Sequence, residues 1–284
     1  MSLSRILTDD AAQFTKLNFP GSKNLIFLHS SIDKGSHQPE RLDTLRPVDL
    51  PGRVAFNQPP SLVPLSFESL EEQILSLYQS VDDLFIILVS KELYPYYSMT
   101  ESIISKLHGR ATIHLLDSQS IAIGEGQIVQ KAAELINQGV PGNLIEEQLR
   151  EMVYHVYTLL STPNLSYLHK AGFIDSGQAS VGEMLGFYPI FALEDGKLNP
   201  LDKIKNFRGI VDYFIEFISE FEKLENISII QPVNPNHNDT KLIHQHVQEF
   251  YPGTQYSEHM IHPFLASLIG PQGMGIVITE KFST

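Results

Sequence analysis

Residues Ser161–Ile204 read STPNLSYLHKAGFIDSGQASVGEMLGFYPIFALEDGKLNPLDKI. Short elements follow one another closely. Asn164–Lys170 places Leu165 and Leu168 three residues apart, an amphipathic turn of helix. Ala171-Gly172 ends it, since glycine suits a helix C-terminus. Gln178–Met184 predicts a second small helix, and Gly186 leads out of it. Tyr188–Leu193 is an apolar strand and Leu198–Ile204 returns beside it. Between them, Glu194-Asp195-Gly196-Lys197 is a tight turn, because Asp-Gly accepts the positive φ angles of a two-residue hairpin. A chain that spends so many residues on short elements is shaping a surface or a cavity. The stretch therefore reads as a hinge between two α/β units and as a pocket wall. It divides the chain into an N-terminal α/β domain, residues 1–160, and a C-terminal α/β domain, residues 161–284.

Working outward to the N-terminal side, Val156–Leu160 is a strand and Asn143–Tyr154 a helix with Leu144, Leu149 and Met152 inward. Before them, apolar runs at Leu84–Val89 and Thr112–Leu116 predict strands. Phe67–Ser80, Ser98–His108 and Ile121–Gln138 predict helices. With Leu25–Leu28 as a first strand, βα units in series imply a parallel sheet with right-handed crossovers. Residues 1–22 read as a polar lead-in holding at most one short helix. Gly35–Ser66 is rich in Pro, Asp and Arg and reads as a surface excursion, with Val54–Phe56 as an edge strand and Asn57–Ser61 as a turn. On the C-terminal side, Gly209–Leu224 is a strongly apolar helix, Ile227–Gln231 a strand, Asp239–Phe250 a helix, and Gln255–Ile261 and Gly275–Thr279 strands. The phenylalanines of Gly209–Leu224 read as core more than as cavity lining.

The chain has 284 residues, 42% of them hydrophobic and 19% charged, the composition of a globular protein. A net charge of −13 argues against a broad nucleic-acid surface, because phosphate neutralisation needs clustered cations. Cysteine is absent, which removes disulfides, thiolate metal sites and thiol nucleophiles together. Asp9 and Asp10 sit where a signal peptide would need an apolar run, and no apolar stretch reaches the roughly 20 residues of a membrane span. These features predict a soluble, cytoplasmic protein.

Several polar clusters could carry chemistry. Ser30, Ser31 and Asp33 follow the first strand, where ligands of open α/β sheets bind, and equally suit a turn or helix cap. Asp117-Ser118 suits an anion site or an N-cap. His244 and His246, two apart on a helix, face different ways and make a poor metal pair. Gly270-Pro271-Gln272-Gly273-Met274-Gly275 lacks the lysine and the strand–glycines–helix order of a phosphate loop. No Gly-x-Ser-x-Gly elbow surrounds Ser30, Ser90 or Ser118. No metal and no cofactor are expected.

Five motifs, in order, resemble the DegV family of bacterial fatty-acid-binding proteins. They are Leu116–Ser120 with Gly124 and Gly126, Leu165–Gly172, Tyr188-Pro189-Ile190, Glu194–Lys197, and Gly270-Pro271. The resemblance runs from about Leu25 to Ile278. It implies two α/β domains with an apolar tunnel near their junction. One long-chain fatty acid would lie there with its carboxylate at a polar mouth, the chain serving as a carrier or presenter for a separate fatty-acid kinase. The family's Thr-Asp-Ser loop is matched with Leu28-His29-Ser30. Its Thr-Ser-Gln-Pro turn falls on Phe56-Asn57-Gln58-Pro59, and its Ser-Ser-x-Leu-Ser-Gly-Thr loop on Ser90–Tyr96. The arginine of Arg-Lys-Gly-Gly-Arg falls on Phe173, and the histidine before Gly-Pro-Gly near Leu268. The head-group residues so implied are Ser30, Asn57, Ser90 and Lys91, with Phe173 and Leu268 where the family has donors. Tyr94, Tyr96, Tyr97 and His262 are further donors that could serve the mouth. Since an unpaired buried carboxylate costs several kcal/mol, either the mouth is rebuilt or the ligand is less polar. The alternatives are a paralogue whose pocket is filled by Phe56, Phe173 and Leu268 and which acts as an interaction module, and an enzyme using Asp117 or Ser118.

Overall fold

The computed structural model describes residues 3–16, 18–35, 38–52, 60–235 and 240–281. The first part runs β1 (Ser4–Asp9), β2 (Leu25–Leu28), β3 (Ser31–Asp33), β4 (Glu40–Arg41), β5 (Ser61–Val63), α1 (Phe67–Ser80), β6 (Asp83–Leu88), α2 (Tyr96–Ile104), β7 (Thr112–Asp117), α3 (Ile123–Asn137) and α4 (Gly142–Val153). The second runs β8 (Val156–Ser161), α5 (Leu165–Lys170), α6 (Ser176–Leu185), β9 (Tyr188–Glu194), β10 (Lys197–Ile204), α7 (Phe207–Ser219), β11 (Leu224–Gln231), α8 (Lys241–Phe250), β12 (Gln255–Met260), α9 (Pro263–Ile269) and β13 (Met274–Glu280).

The expected parallel sheet is present, in the order β2-β1-β6-β7. Its inner strand β1 lies in the segment read as a polar lead-in. Ile6 and Leu7 are fully buried, but so are Thr8 and Asp9, and those polar residues hide the strand from a hydrophobicity reading. Asp9 is buried because backbone N–H groups need it: Ala11 donates to one carboxylate oxygen at 2.8 Å and Val89 to the other at 3.0 Å. The chain leaves β1 to β2 on one side and crosses to β6 on the other, so Asp9 occupies the switch-point crevice where open sheets commonly take a ligand. Thr8-Asp9-Asp10 thus stands at the end of the first strand of this sheet.

A small antiparallel sheet, β4-β3-β5, covers part of the excursion between β2 and α1. The expected edge strand Val54–Phe56, and Asn57 of the expected turn, lie outside the described residues. The second large sheet has the order β10-β9-β8-β13-β11-β12, antiparallel except for the β11–β12 pair. β8 pairs with β13 along its length and with β9 over Thr158–Ser161, so a division at residue 160 cuts this strand. A division that keeps both sheets whole falls between Val153 and Val156. The helix read over 209–224 stops at Ser219, because Leu224 already pairs with Glu280 in β11. In α4, Leu144 is exposed and Ile145 takes the inward position.

One core is shared by both parts: Leu28, Ile86 and Tyr96 from the first pack in the same cluster as Leu160, Leu168, Phe191 and Phe264 from the second. Phe214 and Ile218 of α7 pack with Ile227 and Ile276 in a separate core under the second sheet. α3 lies between the two sheets and is buried along most of its length. Gly126 permits this, since a Cβ there would lie 2.1 Å from the Gln13 carbonyl oxygen. The β9–β10 turn has φ of +51° at Asp195 and +77° at Gly196, as a two-residue hairpin requires.

Candidate functional site

A cavity of about 620 Å³ lies between α5, α6 and the β9–β10 hairpin. Small-molecule sites span roughly 300–1,000 Å³. Each wall follows from the local sequence. β9 alternates, so Pro189 and Phe191 face the cavity while Ile190 enters the core under α7. β10 contributes Leu198, Pro200 and Lys203. α5 brings Leu165, and Phe173-Ile174 come from the turn that follows it. α6 closes the outer side with Gly177, Gln178, Val181 and Gly182. That helix starts at a reciprocal capping box: Gln178 N–H donates to Asp175 Oδ1 at 2.8 Å, and Asp175 N–H donates to Gln178 Oε1 at 3.1 Å. Gln178 and Lys203 bring the polar side chains of an otherwise apolar lining.

A second cavity, about 210 Å³, is lined by Ser61, Leu93, Tyr94, Lys170, Ser267 and Leu268 among others. The segment from Lys170 to Ile174 borders both cavities. Behind the second lies a hydroxyl network. Tyr94 donates to Ser30 Oγ at 3.3 Å, Ser30 Oγ lies 3.0 Å from the Tyr96 hydroxyl, and Leu65 N–H donates to that hydroxyl at 3.2 Å. Burial pushes the Tyr96 phenol up to about 12 and Tyr94 higher still, so both are neutral donors and acceptors.

The sequence-derived site residues divide among several places. Phe173 lines the larger cavity and Leu268 the smaller. Ser30 is buried behind Tyr94 and Tyr96. Ser90 is buried, and its hydroxyl donates to the Gly196 carbonyl at 2.7 Å, seating the hairpin tip on the end of β6. Lys91 is exposed, 3.9 Å from Asp117 and 5.8 Å from the Tyr97 ring centre. Ser30, Ser90 and Lys91 line neither cavity. Asn57 lies outside the described residues. Asp117 and Ser118 hold the turn after β7, the first accepting from Gln119 N–H at 3.0 Å and the second from Ser120 N–H at 3.2 Å. His262 lines neither cavity; burial pushes its imidazole down to about 4. Among the described residues no cluster of three His, Asp or Glu could hold a metal ion. As expected of its phenylalanines, α7 lines neither cavity, and Phe214 is core.

Sequence reasoning missed the buried carboxyls. Asp9 lies at the switch point, and burial pushes it up to about 7 against the two N–H donors that favour its ionised form. Glu125 of α3 is fully buried and accepts from Thr8 Oγ1 at 3.3 Å; burial, then repulsion from Asp9, raises it well above the usual carboxylate range. Lys203 and Gln178 were missed too. No linear signal marks Lys203, whose orientation depends on a strand irregularity.

A family model described as "Uncharacterised protein, DegV family" matches residues 41–281. A DegV domain-containing protein of Staphylococcus aureus is 26% identical over 204 residues, 70% of this chain and 69% of that protein. One from Caldanaerobacter subterraneus is 29% identical over 154 residues, 53% and 54% of the two chains. Among solved structures, the Streptococcus pneumoniae fatty acid kinase B3 protein loaded with linoleic acid superposes with TM-score 0.83 at 16% identity, covering 99% of this chain and 100% of that one. DegV, a fatty acid binding protein from Bacillus subtilis, does so with TM-score 0.79 at 19% identity and the same coverage.

Proposed function

Because the chain belongs to the DegV family, we propose that it is a carrier holding one long-chain fatty acid, with the tail in the cavity between α5, α6 and the β9–β10 hairpin. The observation that carries this reading is the cavity itself: about 620 Å³, with Leu165, Phe173, Ile174, Phe187 and Phe191 among its walls. Burying an acyl chain there gains ~0.8 kcal/mol per methylene. A carboxylate left dry and unpaired costs several kcal/mol, so the head group has to meet a donor or water. Of the proteins with this fold, one is loaded with linoleic acid and another is a fatty acid binding protein, which supports the ligand class.

A filled pocket, as an interaction module would have, is less well supported. Phe173 lines the cavity without filling it. On this reading Ser30 and Ser90 shape the surroundings, since their hydroxyls are engaged by Tyr96 and by the Gly196 carbonyl. Lys91 is assigned no direct contact. Presentation of the bound acid to a separate fatty-acid kinase in the cytoplasm belongs to the same proposal. Among the described residues no helix is long and apolar enough to cross a membrane.

Lipid extraction from purified protein, followed by mass spectrometry, tests the reading. One acyl species per chain, or saturable uptake of added fatty acid, is the expected result. Protein that neither carries nor takes up an acyl chain would overturn it.

A further inference from the structure

We propose a second binding site, in the polar cavity between α3 and the second sheet, that takes a small zwitterion: a free α-amino acid, its carboxylate on side-chain amides and its ammonium on a glutamate. The cavity measures about 170 Å³, room for about five waters at ~30 Å³ each. It shares no lining residue with the acyl cavity. Its walls come from both parts of the chain: Thr15, Lys16 and α3 belong to the first, and Asn226, Gln255 and Thr279 to the second.

Gln127, Gln130, Lys131 and Glu134 all line it, and their spacing of three and four residues makes one face of a helix. α3 is buried along most of its length, yet this face carries two amides and two charges where plain packing on a sheet would carry apolar residues. Across from it, Glu225 and Asn226 both line the cavity although they are consecutive in β11, which regular alternation forbids. The pairing runs from Leu224 opposite Glu280 to Asn226 opposite Thr279, so Glu225 is an extra residue. Bulges of this kind re-aim side chains and gather beside functional sites.

The inner part of the cavity has unused donors. Gln127 and Gln130 are only 9% and 8% exposed. Gln127 is engaged within the wall: its amide donates to Asn226 Oδ1 at 2.8 Å and its carbonyl accepts from Thr279 Oγ1. Gln130 accepts from Thr15 Oγ1 at 3.3 Å, and its NH2 group has no partner among the described residues. Asn226 Oδ1 also accepts from Ser228 Oγ at 2.7 Å, which leaves the Asn226 NH2 group open in the same way. Donors so placed call for an acceptor. Nearer the surface, Lys16, Lys131, Glu134 and Glu225 form no ion pair among the described residues, and their charges cancel. A plain anion would meet two glutamates and a plain cation two lysines. A zwitterion answers both signs, its carboxylate toward the amides and lysines and its ammonium toward Glu134 or Glu225.

Isothermal titration calorimetry on the full chain tests this with L-alanine, and with propionate and ethylamine, each of which keeps one of its two charged groups. Saturable binding of L-alanine is expected, with propionate and ethylamine each at least about 5-fold weaker. Glu134→Gln should weaken L-alanine about 5-fold without weakening propionate, and Lys131→Ala should weaken both. Both side chains are half-buried, so folding should survive, and matched circular dichroism checks it. Gln130→Leu, which removes a buried amide, should abolish L-alanine binding; if that variant fails to fold, the other two decide. No saturable binding of L-alanine to the unaltered chain, propionate or ethylamine binding as tightly as L-alanine, or full affinity in both Glu134→Gln and Lys131→Ala would overturn the proposal.

Discussion

Asp9 and Glu125 are buried carboxyls held chiefly by neutral donors, and both are raised by burial, Asp9 to about 7. The folded chain therefore keeps protons that the unfolded chain releases from about pH 4 upward, and their contribution to stability falls as pH rises through 7. Glu125→Gln should gain in urea midpoint relative to the unaltered protein as pH goes from about 5 to 8. Parallel midpoint curves would contradict this. Gly196→Ala joins two faults, a φ of +77° and a Cβ 2.4 Å from Ser90 Oγ. It should cost at least ~1–2 kcal/mol, read as a lowered melting temperature. Ser30 and Ser90 were legible as polar residues at strand ends, but their partners were not. A hydroxyl's use is set by what the fold brings beside it, here two tyrosines and a hairpin carbonyl. Lys203 was illegible because one bulged residue decides which side chain faces the cavity.

α6 forms one wall of the cavity, and its start depends on Asp175 and Gln178. Asp175→Ala should destabilise that helix by ~1 kcal/mol and speed amide exchange over residues 176–185 before the sheets open. Unchanged exchange there would show that packing alone holds the helix. Phe214→Ala in α7 leaves a void beneath the second sheet and should cost ~3–5 kcal/mol in equilibrium unfolding. Elements with strong periodicity were readable: α1, β6, β7, α3 and the β9–β10 hairpin fall within a few residues of expectation. β1 was not, because four of its six residues are polar and the burial of Asp9 answers backbone N–H groups outside the strand. The run from 209 to 224 was read too long because Leu224 continues an apolar pattern while belonging to a strand.

At the scale of the molecule, one core runs from the parallel sheet through α9 and α5 to Phe191, beside the larger cavity. A ligand that binds only the folded chain should therefore stabilise the whole, by about 2.7 kcal/mol at a hundredfold excess over Kd. Family membership and the two-sheet α/β plan were legible because motif order survives divergence. The head-group chemistry was not, because Phe173 and Leu268 stand where donors were expected and border two different cavities. On the function proposed above, the cavity between α5, α6 and the β9–β10 hairpin holds a single acyl chain. Native mass spectrometry of the purified protein, before and after mixing with long-chain fatty acids, tests it most directly. A mass increment of one fatty acid that mild activation releases is the expected result. A bare chain under both conditions would contradict it.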